Sequence, residues 1–129
     1  IPKLGSERNA MDKEIDLSYL RAIASDSNEF MIEMIDLFLG QTPEYLHQLQ
    51  EATDRKDWKE VAGLAHKIKP TLAFMGLNAA RADIEEIEKK ARSQEKLEEI
   101  APQLDQMRSS CVVLFGKLKD VRTQLAAGI

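Results

Sequence analysis

The C-terminal part of the chain carries one pattern that leaves little freedom. Leu97, Ile100, Leu104, Met107, Cys111, Leu114, Leu118, Val121 and Leu125 alternate spacings of three and four without a break. A helix turns by about 100° per residue, so this alternation lines all of those side chains along one seam. An apolar seam of that length is stable only when other helices cover it. Pro102 interrupts the pattern early. Because proline has no amide to give the preceding turn, this helix is expected to begin near Ala101 or to bend there.

The rest of the chain repeats the helical period. Asp16 or Ser18 can cap a short helix with apolar Leu17, Leu20 and Ile23. Ser27 or Asn28 can cap a longer one, in which Phe30, Met31, Met34, Ile35, Phe38, Leu46, Leu49 and Ala52 keep helical spacing on both sides of Gly40 and Pro43. One kinked helix or two abutting helices satisfy that spacing, and the stripe Phe30, Met31, Met34 and Phe38 reads as core. Asp57 opens a further helix with Glu60 as its capping-box partner, and Trp58 packs near its start. Asn78 restarts a helix with the stripe Ala80, Ile84, Ile87 and Ala91, while "DIEEIEKKARSQEKLEEI" reads as a solvated surface with opposite charges at helical spacing.

Leu, Ala, Glu, Lys, Met and Ile dominate where Val and Thr are sparse, which favours helices over strands. The predicted fold is all-α: an antiparallel four-helix bundle, up-down-up-down, with an additional short N-terminal helix across it. A three-helix bundle or a helical array is the alternative, and no self-similarity at roughly 30 to 47 residues supports the array. At 129 residues one domain is expected. Residues 1–10, "IPKLGSERNA", have no periodicity and read as an expression remnant or linker, leaving 11–129 as the domain.

A net charge of −4 argues against nucleic-acid binding, which needs a basic face. The single Cys111 cannot form an internal disulfide, and no Cys/His spacing resembles a zinc site. No apolar run approaches the roughly 20 residues that span a bilayer. The expectation is a cytoplasmic monomer with no membrane contact.

The candidate site lies in "LAHKIKPTLAFMGL", Leu64 to Leu77. With Val61 as origin, Leu64, Ala65, Ile68, Leu72 and Met75 fall within about 60° and form the buried stripe, while His66 sits about 140° away. Ala62, Lys69, Ala73 and Gly76 lie at roughly 60° to 120°, making with His66 a strip of small residues, one imidazole and one ammonium. A neutral imidazole there can attack phosphorus. Lys69, one turn away, can neutralise phosphoryl oxygens. Lys59, Lys67, Arg55 and Lys56 make the region basic within an acidic chain, which suits an acidic partner surface. His47 lacks a lysine at that spacing and reads as an ordinary surface residue.

"HKIKPTLAFMG" resembles the H-x-[apolar]-K-G-x-x-x-x-x-G signature of histidine-containing phosphotransfer (HPt) domains, through His66, Ile68, Lys69 and Gly76, with Ala65 just before. The stretch "DLSYLRAIASDSNEFMIEMIDLFLGQTPEYLHQL" and the "DW" at the next helix start are also similar to the family, and the resemblance covers roughly residues 16 to 125. It implies a phosphocarrier. His66 would take a phosphoryl group from the aspartyl phosphate of one receiver domain and give it to the aspartate of another, in a relay fed by a hybrid sensor histidine kinase. It also implies no nucleotide or metal site in this chain, with Mg²⁺ on the receiver. Lys69 would contact the phosphoryl group, Gly76 would leave space beside it, and Lys59, Ala62, Lys67, Ala73 and Gly76 would meet the partner.

Pro70 departs from that signature by replacing the glycine after the motif lysine. It removes the amide that would bond to the His66 carbonyl, so a bend or an unpaired carbonyl is expected there, which either helps expose His66 or is merely tolerated by the helix packing. Two rivals remain. A helical adaptor would bind receivers without carrying phosphate. An enzyme using His66 as general base lacks a nearby Ser, Cys or paired carboxylate.

Overall fold

Three-residue turns decide how this chain folds back on itself. The structure, a computed structural model, describes residues 15–128, so the segment 1–10 lies outside the described residues. Helix α1 spans Ser18–Ala24, α2 Asn28–Asp54, α3 Trp58–Phe74, α4 Asn78–Ser93 and α5 Ile100–Ala126, with a 3₁₀ turn at Leu97–Glu99. A turn that short forces the next helix to run antiparallel beside the last. Accordingly α2 packs on α3, α3 on α4, α4 on α5 and α5 back on α2, which closes a four-helix bundle, while α1 lies against α2. No strand occurs among the described residues.

The helix starts follow local chemistry. Ser27 caps α2 by accepting from the Phe30 amide at 3.2 Å. The Asp57 carboxylate accepts from the Glu60 amide at 3.2 Å. Glu60 does not return the bond; its carboxylate takes the Arg55 guanidinium at 3.2 Å, so only half of the expected capping box forms. Leu17 occupies the cap position of α1 and makes no side-chain bond, while Asp16 accepts from the Ser18 amide at 3.0 Å. Helix α2 runs through Pro43 as one helix rather than two. Helix α5 begins at Ile100, which places Pro102 in the first turn, where its missing amide has no intrahelical partner to lose.

The core follows the stripes. Ile100, Leu104, Met107, Cys111, Leu114, Leu118 and Leu125 of α5 are buried against Met31, Ile35, Leu49, Ile68, Leu72, Ile84 and Ile87. Burial pushes the Cys111 thiol up to about 11, so it stays protonated and acts as a small apolar group. Trp58 is half-buried on the core. Phe30 and Ile23, expected inside, are exposed. Each lies near a helix end at the edge of the bundle, where no neighbouring helix covers it.

Gly76 ends α3. Its φ of +71° is left-handed, and the Leu77 amide reaches back to the Leu72 carbonyl at 3.0 Å while the Gly76 amide reaches Ala73 at 3.0 Å. This is the paired C-terminal bonding that favours glycine. The Gly76 carbonyl also accepts from the Asp16 amide at 2.9 Å, and a Cβ on Gly76 would fall 1.7 Å from the Asp16 carbonyl oxygen. The glycine therefore turns the chain and docks the segment leading into α1. Gly76→Ala is expected to destabilise the protein by roughly 1–2 kcal/mol from the left-handed backbone alone, and by more through the displaced Asp16. A urea midpoint equal to wild type would contradict this.

Candidate functional site

Helix α3 runs between α2 and α4, so two of its sides are covered and a third faces out. His66 stands on the open side, with 65% of its side chain exposed. Around it on the same outward face are Lys59 two turns before, Gly63 one turn before, Pro70 one turn after and Ala73 two turns after, all exposed. A Cβ on Gly63 would meet nothing within 4 Å. Gly63, Pro70 and Ala73 thus leave the helix low on either side of the imidazole. α3 continues unbroken through Pro70 to Phe74.

Glu88 of α4 reaches across to this imidazole. Its side chain is only 10% exposed, and its Oε2 lies 3.0 Å from His66 Nδ1. Lys69 Nζ donates to Oε1 at 3.3 Å, and Arg92 donates to Oε2 from Nε at 3.0 Å and Nη2 at 2.9 Å. Burial alone would push the Glu88 carboxyl up. The hydrogen bonds from Arg92, Lys69 and His66, with the Lys69 charge, outweigh it and hold the carboxyl below the usual carboxylate range. An ionised carboxylate only accepts, so Nδ1 carries the proton toward Glu88, and in the neutral ring the lone pair is on Nε2. Nε2 has no partner among the described residues.

The sequence-predicted residues divide. His66, Lys59, Lys67 and Ala73 are exposed. Lys69 is half-buried and tied to Glu88 rather than free in solvent. Ala62 is 4% exposed and cannot meet a partner, because the buried arc of a helix flanked on both sides is wider than its apolar stripe. Gly76 is taken up by the turn and by Asp16, so it leaves no space beside the imidazole. Lys67 leans over the Tyr45 ring of α2, 4.5 Å from its centroid. His47 sits on the surface of α2, 3.6 Å from Glu51.

Glu88 and Arg92 escape a reading by charge alone. The stretch holding them looks like solvated surface, yet Glu88 follows Ile84 by four residues and precedes Ala91 by three, which places it on the apolar stripe of α4. A carboxylate on that stripe needs donors, and Arg92 at the fourth following position is the one in α4 that shares its face, which the nearer Lys89 and Lys90 do not.

On the α2 side of His66 an apolar groove of about 290 Å³ is lined by residues including Leu37, Gln41, Pro70 and Phe74. The site is thus apolar toward α2 and charged toward α4. No group of three or more metal-ligating side chains occurs among the described residues.

Comparison with known families identifies the bundle. The family model described as Hpt domain matches residues 33–112, which include both His66 and Glu88. The chain belongs to the Hpt domain family, whose members have phosphotransfer roles in two-component signalling and act as phosphocarriers that meet receiver domains. Searches of curated proteins and of solved structures find no match. No helix among the described residues is long and apolar enough to cross a membrane.

Glu88 gives a pH test. Its folded-state pKa is depressed, so its stabilising contribution is complete above the ordinary glutamate range and is lost as pH falls through the lower folded value. Glu88→Gln is expected to be less stable than wild type at neutral pH by roughly 1–3 kcal/mol. That difference shrinks as the solution is acidified below this range. Denaturant titrations with a gap independent of pH would contradict the assignment.

Proposed function

We propose that His66 is the phosphoacceptor of a phosphorelay, taking a phosphoryl group from the aspartyl phosphate of one receiver domain and passing it to the aspartate of another. One observation carries the reading: an exposed imidazole whose Nδ1 is held by an ionised carboxylate, with Nε2 facing outward. Nε2 attacks phosphorus in line, the N–P bond forms as the bond to the aspartyl oxygen breaks, and the receiver carboxylate leaves with that electron pair. As the ring gains positive charge, Glu88 lies against its N–H and stabilises it. The second transfer runs the same steps in reverse toward a different aspartate.

Lys69 and Arg92 have a related part. Both hold Glu88, and both keep its negative charge from repelling the incoming phosphoryl oxygens. Lys69 is the nearer candidate to contact the phosphoryl group itself. Lys59 and Lys67, with Ala73, border the docking face, and the apolar groove beyond Pro70 continues it toward α2. Most of the charge stabilisation belongs to the receiver and its Mg²⁺, so this chain needs no nucleotide or metal of its own. A hybrid sensor kinase is the source of the phosphoryl group, and the relay is cytoplasmic.

The test is incubation with a receiver carrying labelled aspartyl phosphate. Wild type is expected to gain acid-labile, alkali-stable label, and His66→Gln to gain none. Lys69→Ala is expected to fold and to transfer more slowly by roughly 10- to 100-fold, up to the scale of one lost charge-stabilising donor. Label on His66→Gln would sink the proposal. A receiver bound by wild type with no label transferred would mean an adaptor instead.

A further inference from the structure

Helix α5 carries a second stripe that the bundle does not use. Asp105, Ser109, Val112, Gly116, Lys119 and Thr123 follow spacings of four and three, and all six are exposed. Each follows or nearly follows a residue of the buried seam, so this stripe is turned from the core by about 100°. At its centre Val112 is 72% exposed and the adjacent Val113 57%. Val112 itself lines a groove of about 450 Å³ between α5 and α2, together with Pro43, Leu46, Phe115 and the charged Asp105 and Arg108.

The charges at the two ends choose the occupant. Asp105 lies seven residues before Val112 and Lys119 seven after it. Neither has an ion-pair partner among the described residues. Each also lacks an opposite charge four residues away in α5, and Arg108, three residues after Asp105, is engaged with Gln50. A two-fold axis at Val112, relating α5 to α5 of a second copy, would run the helices antiparallel. It would put Asp105 of each copy opposite Lys119 of the other, twice over.

From this self-complementary pattern we infer that the protein forms a homodimer through antiparallel packing of α5 on α5, centred on Val112. Spacings of four and three are the seam period of two helices crossing at about 20°. Ser109 and Gly116, on either side of Val112, are small enough to admit Val112 of the second copy, and a Cβ on Gly116 would meet nothing within 4 Å. α3 and α5 are not neighbours in the bundle; α2 and α4 separate them. The dimer therefore leaves both His66 faces open. It replaces the expected monomer with a two-site particle, and it does not depend on His66 carrying phosphate.

One helix face on each copy buries less than the roughly 1,200–2,000 Å² of a stable interface, so the dimer is weak and a concentration series must reach about 1 mM. Sedimentation equilibrium of the full chain tests it. Wild type is expected to rise from the 14.6 kDa monomer toward twice that mass with concentration. Asp105→Lys and Lys119→Asp should each weaken association by about tenfold or more, and the double exchange should restore it, since the pairing is then reversed but intact. Val112→Arg should abolish it. All three positions are exposed, and circular dichroism checks that the variants fold. Wild type that stays monomeric across the series overturns the inference, as does a dimer indifferent to these substitutions.

Discussion

A carboxylate taken from water into a helix bundle is costly unless it is paired and hydrogen-bonded, and Glu88 meets that condition through three side chains at once. Two of them, His66 and Lys69, come from α3; the third, Arg92, comes from α4 one turn beyond Glu88 itself. The arrangement therefore joins α3 to α4 at the position where the imidazole leaves the bundle. Removing any one donor leaves a buried negative charge with less to hold it. The ring orientation is consequently a property of the fold and not of a flexible surface side chain.

That junction requires two helices to lie close together. α3 and α4 share the most extensive contact in the bundle, and alanines are buried on both, Ala62 and Ala65 on one, Ala80 and Ala91 on the other. The turn between them is set by Gly76, whose left-handed backbone closes the C-terminus of α3 and whose carbonyl holds Asp16. A glycine that sits in the motif beside the histidine thus acts at a distance from it. It fixes where α3 stops, and so the register in which Glu88 comes level with His66.

Most of the architecture is legible in the chain because period and turn chemistry agree. The seam on α5, the caps at Ser27 and Asp57, and the short polar connections each specify the same bundle. The exposure of His66 follows from its angle to Val61. What fails is what depends on two helices at once. The position of Ala62 needs knowledge of how much of α3 is covered, and Glu88 looks solvated until α3 is placed opposite it. Gly76 is visible as a glycine in a motif, but its neighbour Asp16 is sixty residues away in sequence. Phe30 and Ile23 keep the apolar period past the point where the bundle has anything to cover them with.

The central claim is that Glu88 holds the proton of His66 on Nδ1 and leaves Nε2 with the lone pair. Long-range ¹H–¹⁵N correlation spectra of the protein with labelled histidine, recorded at a pH where the ring is neutral, report this directly. The account predicts a protonated Nδ1 and an unprotonated Nε2 for His66, with that preference weakened in a Glu88→Ala variant. A neutral His66 carrying its proton on Nε2, or a tautomer mixture unchanged when Glu88 is removed, would contradict it.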